Sequence, residues 1–267
     1  MADIFIFSGQ SNMQGQSELL LSTGPIEGAY EYRWLTDSLV PLCDPVGEDI
    51  RYDKTAGVPF GGGNLSEWLG AHALGSACYG HSTLVPTFCE SYIRQTHAEV
   101  VAIHAAKGST CIGDWLPGTA NFDVLCVKAA AGIARAKASG DVGRIFFIWL
   151  QGESDAIAGK TKAYYKEKIR LLSVALREKI GAEKFCIIRV GRFTNDGRDL
   201  EIIEAQDEIC REDDGFLMLT QIATELNGQP EFMNPQVRGH YSAKGLQALG
   251  TAAGETLGKY ACMRPDL

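Results

Sequence analysis

Residues 3–15 read Asp-Ile-Phe-Ile-Phe-Ser-Gly-Gln-Ser-Asn-Met-Gln-Gly. Ile4, Phe5, Ile6 and Phe7 are β-branched or aromatic at every place, and the run breaks off at Ser8-Gly9, as a buried strand does before a tight turn. Ser11 is the first reactive group clear of that strand end. Ligands of open α/β sheets bind at the carboxyl ends of the strands, so this hydroxyl stands where a substrate would sit. Taken alone, Gly-Gln-Ser-Asn reads equally well as a polar turn, and the rest of the chain has to decide.

Working outward, the next buried strand is expected at 99–105, with Val100, Val101 and Ile103 as its apolar places. The segment between is rich in Gly and Pro, with helices expected at 66–77 and 86–96, and long connections of this kind commonly wall a site. A helix follows over about 121–138, then Arg-Ile-Phe-Phe-Ile-Trp-Leu at 144–150, the clearest buried strand in the chain. From Lys160 to Ile180 the residues Tyr165, Ile169, Leu172, Leu176 and Ile180 recur at helical spacing. Strand 185–190, helix 200–210 and strand 216–219 repeat the alternation, and a last helix after Ser242 carries Leu246, Leu249, Ala253 and Leu257 on one stripe. Strands alternating with helices imply an α/β protein built on a doubly wound parallel sheet. No linker divides the chain, so one domain is expected over 1–267.

Composition narrows the function classes. With 267 residues, 45% hydrophobic and 22% charged, the chain is ordinary for a globular protein, and no apolar run approaches the ~18 residues of a membrane span. A net charge of -8 argues against nucleic acid or an anionic membrane as partner, because phosphate binding needs clustered Lys and Arg. A small molecule without much negative charge is the expected ligand. The eight cysteines are scattered, without a Cys-x-x-Cys pair, which suits reduced thiols in a cytoplasmic protein better than a disulfide framework or a zinc site. Met1 is followed almost at once by the first strand, leaving no room for a signal peptide, and a cytoplasmic location is the expectation.

Three further stretches carry chemistry. Lys107-Gly108-Ser109-Thr110 suggests a phosphate loop, but the order Gly-Lys-Ser/Thr and the upstream Gly are missing, so nucleotide binding is rejected. Gln151-Gly152-Glu153-Ser154-Asp155 presents an amide and two carboxylates at the end of strand 144–150, with Asp155 readable as a cap of the next helix. His240 lies on a loop two residues before Ser242, the expected N-cap of the last helix. His72, His81, His97 and His104 have no comparable setting.

Ser-Gly-Gln-Ser-Asn-Met-Gln-Gly at 8–15, Lys-Gly-Ser-Thr-x-Ile-x-x-Trp at 107–115, Gln-Gly-Glu-Ser-Asp at 151–155 and Gly-His-Tyr-Ser-Ala-x-Gly at 239–245 resemble the SGNH hydrolases. Within them the chain is most similar to the sialate O-acetylesterase-like group that includes carbohydrate esterase family 6, the acetylxylan esterases. The resemblance implies a three-layer, flavodoxin-like fold with Ser11 as nucleophile and His240 as its general base. It also implies an oxyanion hole from the backbone amides of Ser11 and Gly108 and the side-chain amide of Gln151. Gln10, Asn12 and Trp115 are the expected substrate-binding residues, and Trp34 is a second aromatic face for a sugar. The family's Asp three residues before the His is replaced here by Val237, and a Val85-Pro86 stands where relatives often carry Gly-Pro. The resemblance to family 6 members that use the Glu of Gln-Gly-Glu in that role implies Glu153 as the triad acid, with Asp155 in reserve.

The expected activity is that of a serine esterase removing acetyl groups from a sugar or oligosaccharide through an acetyl-enzyme, as an acetylxylan esterase does, with no cofactor or metal. A carbohydrate-binding pseudoenzyme is the rival reading, motivated by the side chain at Val237.

Overall fold

In the computed structural model, which describes residues 1–21, 24–47 and 82–264, β1 (Ala2–Gly9) holds the centre of a seven-stranded sheet. Ile4 to Phe7 are all fully buried, and a strand apolar on both faces is stable only between two covering layers. Its companions are β2 (Ala29–Arg33), β3 (Ser38–Pro41), β4 (Glu99–Ala106), β5 (Val142–Leu150), β6 (Lys184–Ile188) and β7 (Phe216–Thr220). The order is β3-β2-β4-β1-β5-β6-β7, parallel throughout except for the edge strand β3.

Among the described residues the α-helices are α1 (Ser11–Gln14), α2 (Val85–Thr96), α3 (Ala120–Ser139), α4 (Glu153–Ile157), α5 (Lys162–Ile180), α6 (Arg198–Glu212), α7 (Ala223–Leu226) and α8 (Ala243–Cys262). Side chains of a strand alternate between the sheet's faces. On one face Phe5 and Phe7 meet Phe88 of α2 edge-on at 5.4 and 5.1 Å, and Phe146 meets Tyr260 of α8. On the other, Trp149 meets Trp115 at 5.6 Å and donates to the hydroxyl of Tyr165 on α5. With α3 and α6 beside α5 on that second face, the three-layer, doubly wound arrangement is complete.

Local chemistry explains the helix limits. Thr161 caps α5 by accepting from the Tyr164 amide, and Gly181 ends it in the left-handed conformation at φ 69°. All five expected stripe residues of α5 are buried, as are those of α8. In α8 a second stripe, Gly250, Gly254 and Gly258, lies against α2, where an added Cβ at Gly250 or Gly254 would overlap the carbonyl of Leu84 or Phe88. The missing side chains let the two helix backbones approach closely.

One difference from expectation is the β2–β3 hairpin, which occupies part of the segment read as loop. Its signal is masked by Glu31, a carboxylate at a buried strand position, held by Arg33 at 2.9 Å and by the Gly47 amide at 2.6 Å. The helix expected at 66–77 lies outside the described residues. Cys43, Cys89, Cys111, Cys126, Cys186, Cys210 and Cys262 are unpaired, and among the described residues no helix is long and apolar enough to cross a membrane.

Candidate active site

The carboxyl ends of β1, β4 and β5 carry the first three of the four landmarks of the sequence. Gly9 closes β1 against the Leu150 carbonyl, at a place where a Cβ would overlap that group, and Ser11 opens the single turn α1 with 7% of its surface exposed. As the first residue of a helical turn, Ser11 has an N–H without an intrahelical acceptor. From β4, His104 reaches under this turn, its Nε2 lying 2.9 Å from the Met13 carbonyl.

Around Ser11 the polar side chains are spent on the frame. Gln10 turns inward, and its Oε1 accepts from the amides of Gly152 and Ser154 and from Gln151 Nε2. Gln151 Nε2 also donates to the Thr110 carbonyl at 2.9 Å and to Asp155 Oδ2 at 2.6 Å. Asp155 accepts in addition from the Ile112 amide at 2.8 Å, so this buried carboxylate holds the 107–115 loop onto the start of α4. Burial raises its pKa, and the Gln151 hydrogen bond opposes that shift.

The loop carrying His240 is folded on itself and stitched to the segment after Ser11. Asn234 Oδ1 accepts from the Gln236 and Val237 amides, the Asn234 amide donates to the His240 carbonyl, and Asn234 Nδ2 donates to the Gln16 carbonyl. Glu18 accepts from the Ala243 amide at the first turn of α8. Asn12, the neighbour of Ser11, accepts from the Tyr241 amide through Oδ1 and donates from Nδ2 to the Gly239 carbonyl, both at 3.2 Å. Ser11 and His240 are thus each one residue away from a shared pair of hydrogen bonds.

His240 Nδ1 lies 3.1 Å from the Arg238 carbonyl. A carbonyl can only accept, so Nδ1 carries the proton and Nε2 keeps its lone pair. Nε2 is buried and has no protein partner among the described residues. Burial lowers the imidazole pKa, and the Arg238 carbonyl raises it in part. A neutral imidazole with an unused Nε2 is the form a general base needs.

The other expected site residues have these surroundings. Glu153 is 5% exposed, and its Oε1 accepts from Asn12 Nδ2 at 2.7 Å. Its Oε2 is buried without a partner among the described residues, so the expected carboxylate–imidazole bond is not made. Burial raises the Glu153 pKa against the pull of the Asn12 bond. Gln151 has its amide hydrogens committed to Thr110 and Asp155 and is not an open oxyanion donor. The Gly108 amide is directed at Gln14 Oε1, 2.9 Å away, while the Ser11 amide retains its place at the start of α1. Trp115 is fully buried and donates from Nε1 to Thr110 Oγ1, so it belongs to the core. Gln10 and Asn12, at 4% and 2% exposure, are inward frame residues. Trp34 is half-buried at the end of β2 and packs on the core.

Asn234, Gln14 and Glu18 escaped the reading of the sequence. Asn234-Pro235 is a turn signature that signals a self-closed loop, whereas nothing local marks Gln14 or Glu18, whose partners are remote. Among the described residues no three His, Cys, Asp or Glu side chains group as a metal site would need.

Comparison with known proteins bears on the family. The profile of the family described as "Carbohydrate esterase, sialic acid-specific acetylesterase" matches residues 76–256. A probable carbohydrate esterase of Arabidopsis thaliana is 24% identical over 212 residues, 76% of this chain and 74% of that protein. Among solved structures, an X-ray structure of an Arabidopsis thaliana protein superposes with a TM-score of 0.64 at 18% identity, covering 98% of both chains. The crystal structure of NanS superposes with a TM-score of 0.61 at 12% identity, covering 98% of this chain and 97% of that one. At these identities the two structures establish a shared fold.

Proposed function

Because the chain belongs to the carbohydrate esterase family described as sialic acid-specific acetylesterases, we propose that it hydrolyses acetyl esters of carbohydrates with Ser11 as nucleophile and His240 as base. Ser11 Oγ attacks the acetyl carbonyl carbon while His240 Nε2 takes its proton. The oxyanion that forms is met by the Ser11 amide, with the Gly108 amide joining when the acetyl oxygen displaces Gln14 from it. A fixed donor of this kind is typically worth about 3 kcal/mol in the transition state. Collapse breaks the ester bond, and the imidazolium returns the proton to the leaving sugar oxygen. Water then repeats the sequence on the acetyl-enzyme and releases acetate.

The observation that carries this reading is His240, protonated at Nδ1 against the Arg238 carbonyl, with Nε2 buried and without a partner among the described residues, on a loop hydrogen-bonded to Asn12. The carbonyl takes over the orienting part of the acid that Val237 cannot supply. It adds no charge to stabilise the imidazolium, so turnover slower than that of a carboxylate triad is expected.

Acetylated xylo-oligosaccharides are the substrates we favour, since a net charge of -8 disfavours an anionic sugar. Acetylated sialate is the second reading, suggested by the family's description and by the exposed Arg238 two residues before the base. p-Nitrophenyl acetate hydrolysis tests the mechanism: Ser11→Ala should lower kcat on the order of a million-fold, as loss of a serine nucleophile does elsewhere. A variant that keeps its rate would remove Ser11 from the chemistry. A panel of acetylated xylo-oligosaccharides and O-acetyl sialate, compared by kcat/KM, separates the two substrate readings.

A further inference from the structure

We infer that Asn12 is the positioning residue of the base, a clamp on the two peptide units flanking His240, and that Glu153 acts on His240 only through Asn12. The inference rests on the proposed roles of Ser11 and His240. Three hydrogen bonds carry it: Tyr241 N–H to Asn12 Oδ1 at 3.2 Å, Asn12 Nδ2 to the Gly239 carbonyl at 3.2 Å, and Asn12 Nδ2 to Glu153 Oε1 at 2.7 Å.

The clamp has a direction. The Asn12 carboxamide accepts on the Tyr241 side and donates on the Gly239 and Glu153 side, so every hydrogen-bonding atom of the group is used. Rotated by half a turn, its oxygen would face a carbonyl and a carboxylate, and its NH2 would face an N–H. Glu153 holds the productive orientation, because a buried carboxylate can only accept when ionised. Both side chains are almost completely buried, which removes water as an alternative partner. Residues on either side of His240 are thereby tied to the neighbour of the nucleophile.

Glu153 in this arrangement is an acceptor for an amide and not a counter-charge for the imidazolium. Burial lowers the His240 pKa, and the Arg238 carbonyl raises it in part. The distinction matters because a neutral acceptor can replace an amide's partner, whereas it cannot replace a counter-charge.

Kinetics of p-nitrophenyl acetate hydrolysis test it on the full chain. Asn12→Ala should lower kcat about a hundred-fold, the scale of a roughly 1 Å misplacement, with KM within about two-fold of wild type. Glu153→Gln, which keeps an acceptor at Oε1, should lose no more than about ten-fold, with the acid limb of its pH profile unmoved. A carboxylate partner of the imidazolium would instead lose on the order of ten-thousand-fold on amidation. Asn12→Ala combined with Glu153→Ala should cost little more than Asn12→Ala alone, because one chain of contacts is removed once.

An Asn12→Ala kcat within two-fold of wild type overturns the inference, as does a hundred-fold or greater loss in Glu153→Gln with a shifted acid limb. Should Asn12→Ala fail to fold, Glu153→Gln decides alone by the same two outcomes. The His240 imidazole signals in NMR give a readout independent of hydrolysis. Freed from the clamp, the ring should titrate closer to the ordinary histidine value in Asn12→Ala, and an unchanged midpoint counts against the clamp. Failure of the esterase reading looks different: wild type without activity, or Ser11→Ala with full activity, leaves the NMR result standing.

Discussion

At the scale of single residues, His240 shows how much work one ring orientation does. With Nδ1 committed to the Arg238 carbonyl, Nε2 is the only nitrogen that can take a proton. Burial lowers its pKa below the ordinary value of about 6.5. In the proposed mechanism the neutral ring is the active form, so the competent fraction falls as pH drops through that lowered pKa and is full above it. The acid limb of kcat/KM should therefore have its midpoint below about 6.5, read from a pH series on p-nitrophenyl acetate. A midpoint above that value would mean the ring is solvated or paired with a carboxylate. Val237 foretold the absence of the customary acid, and a backbone carbonyl one residue later orients the ring instead. The absence was legible in the sequence because it is a matter of residue type. Its replacement was not, since every residue carries a carbonyl.

At the scale of elements, the stripes that define α5 and α8 were legible because burial on one face repeats with the helix period. The closeness of α8 to α2 was not, although Gly250, Gly254 and Gly258 stand four residues apart in plain view. A glycine in a helix reads as a weakness until its neighbour is known. Gly254→Ala gains up to about 1 kcal/mol in helix propensity. Against that, its Cβ would overlap the Phe88 carbonyl, which is backbone and cannot rotate away, and overpacking of this sort costs about 1–3 kcal/mol. The second effect is the larger, so a net loss of roughly 1–2 kcal/mol in urea unfolding is expected; a stabilised variant would show that the helices can part at little cost. The hairpin β2–β3 was hidden for the opposite reason: Glu31 looks like a surface residue and becomes compatible with burial only through Arg33 and the Gly47 amide.

At the scale of the whole molecule, a central strand brings distant segments to one rim, in a chain whose net charge is -8. An anionic acetyl ester should be hydrolysed with a kcat/KM that rises with added salt, while that of a neutral ester stays level. Equal salt responses would show that the field of that charge does not reach the site. The α/β class and the strand and helix succession were determined by the sequence alone, because strand burial, helical period and turn chemistry are local and leave local marks. Which groups join at the rim was decided only by tertiary structure. Glu153 could have met His240 or Asn12, Gln151 could have faced a substrate or Asp155, and Trp115 could have faced a sugar or Trp149. A polar or aromatic side chain has several chemically equivalent partners, and only their positions in space, set by packing across the sheet, choose among them.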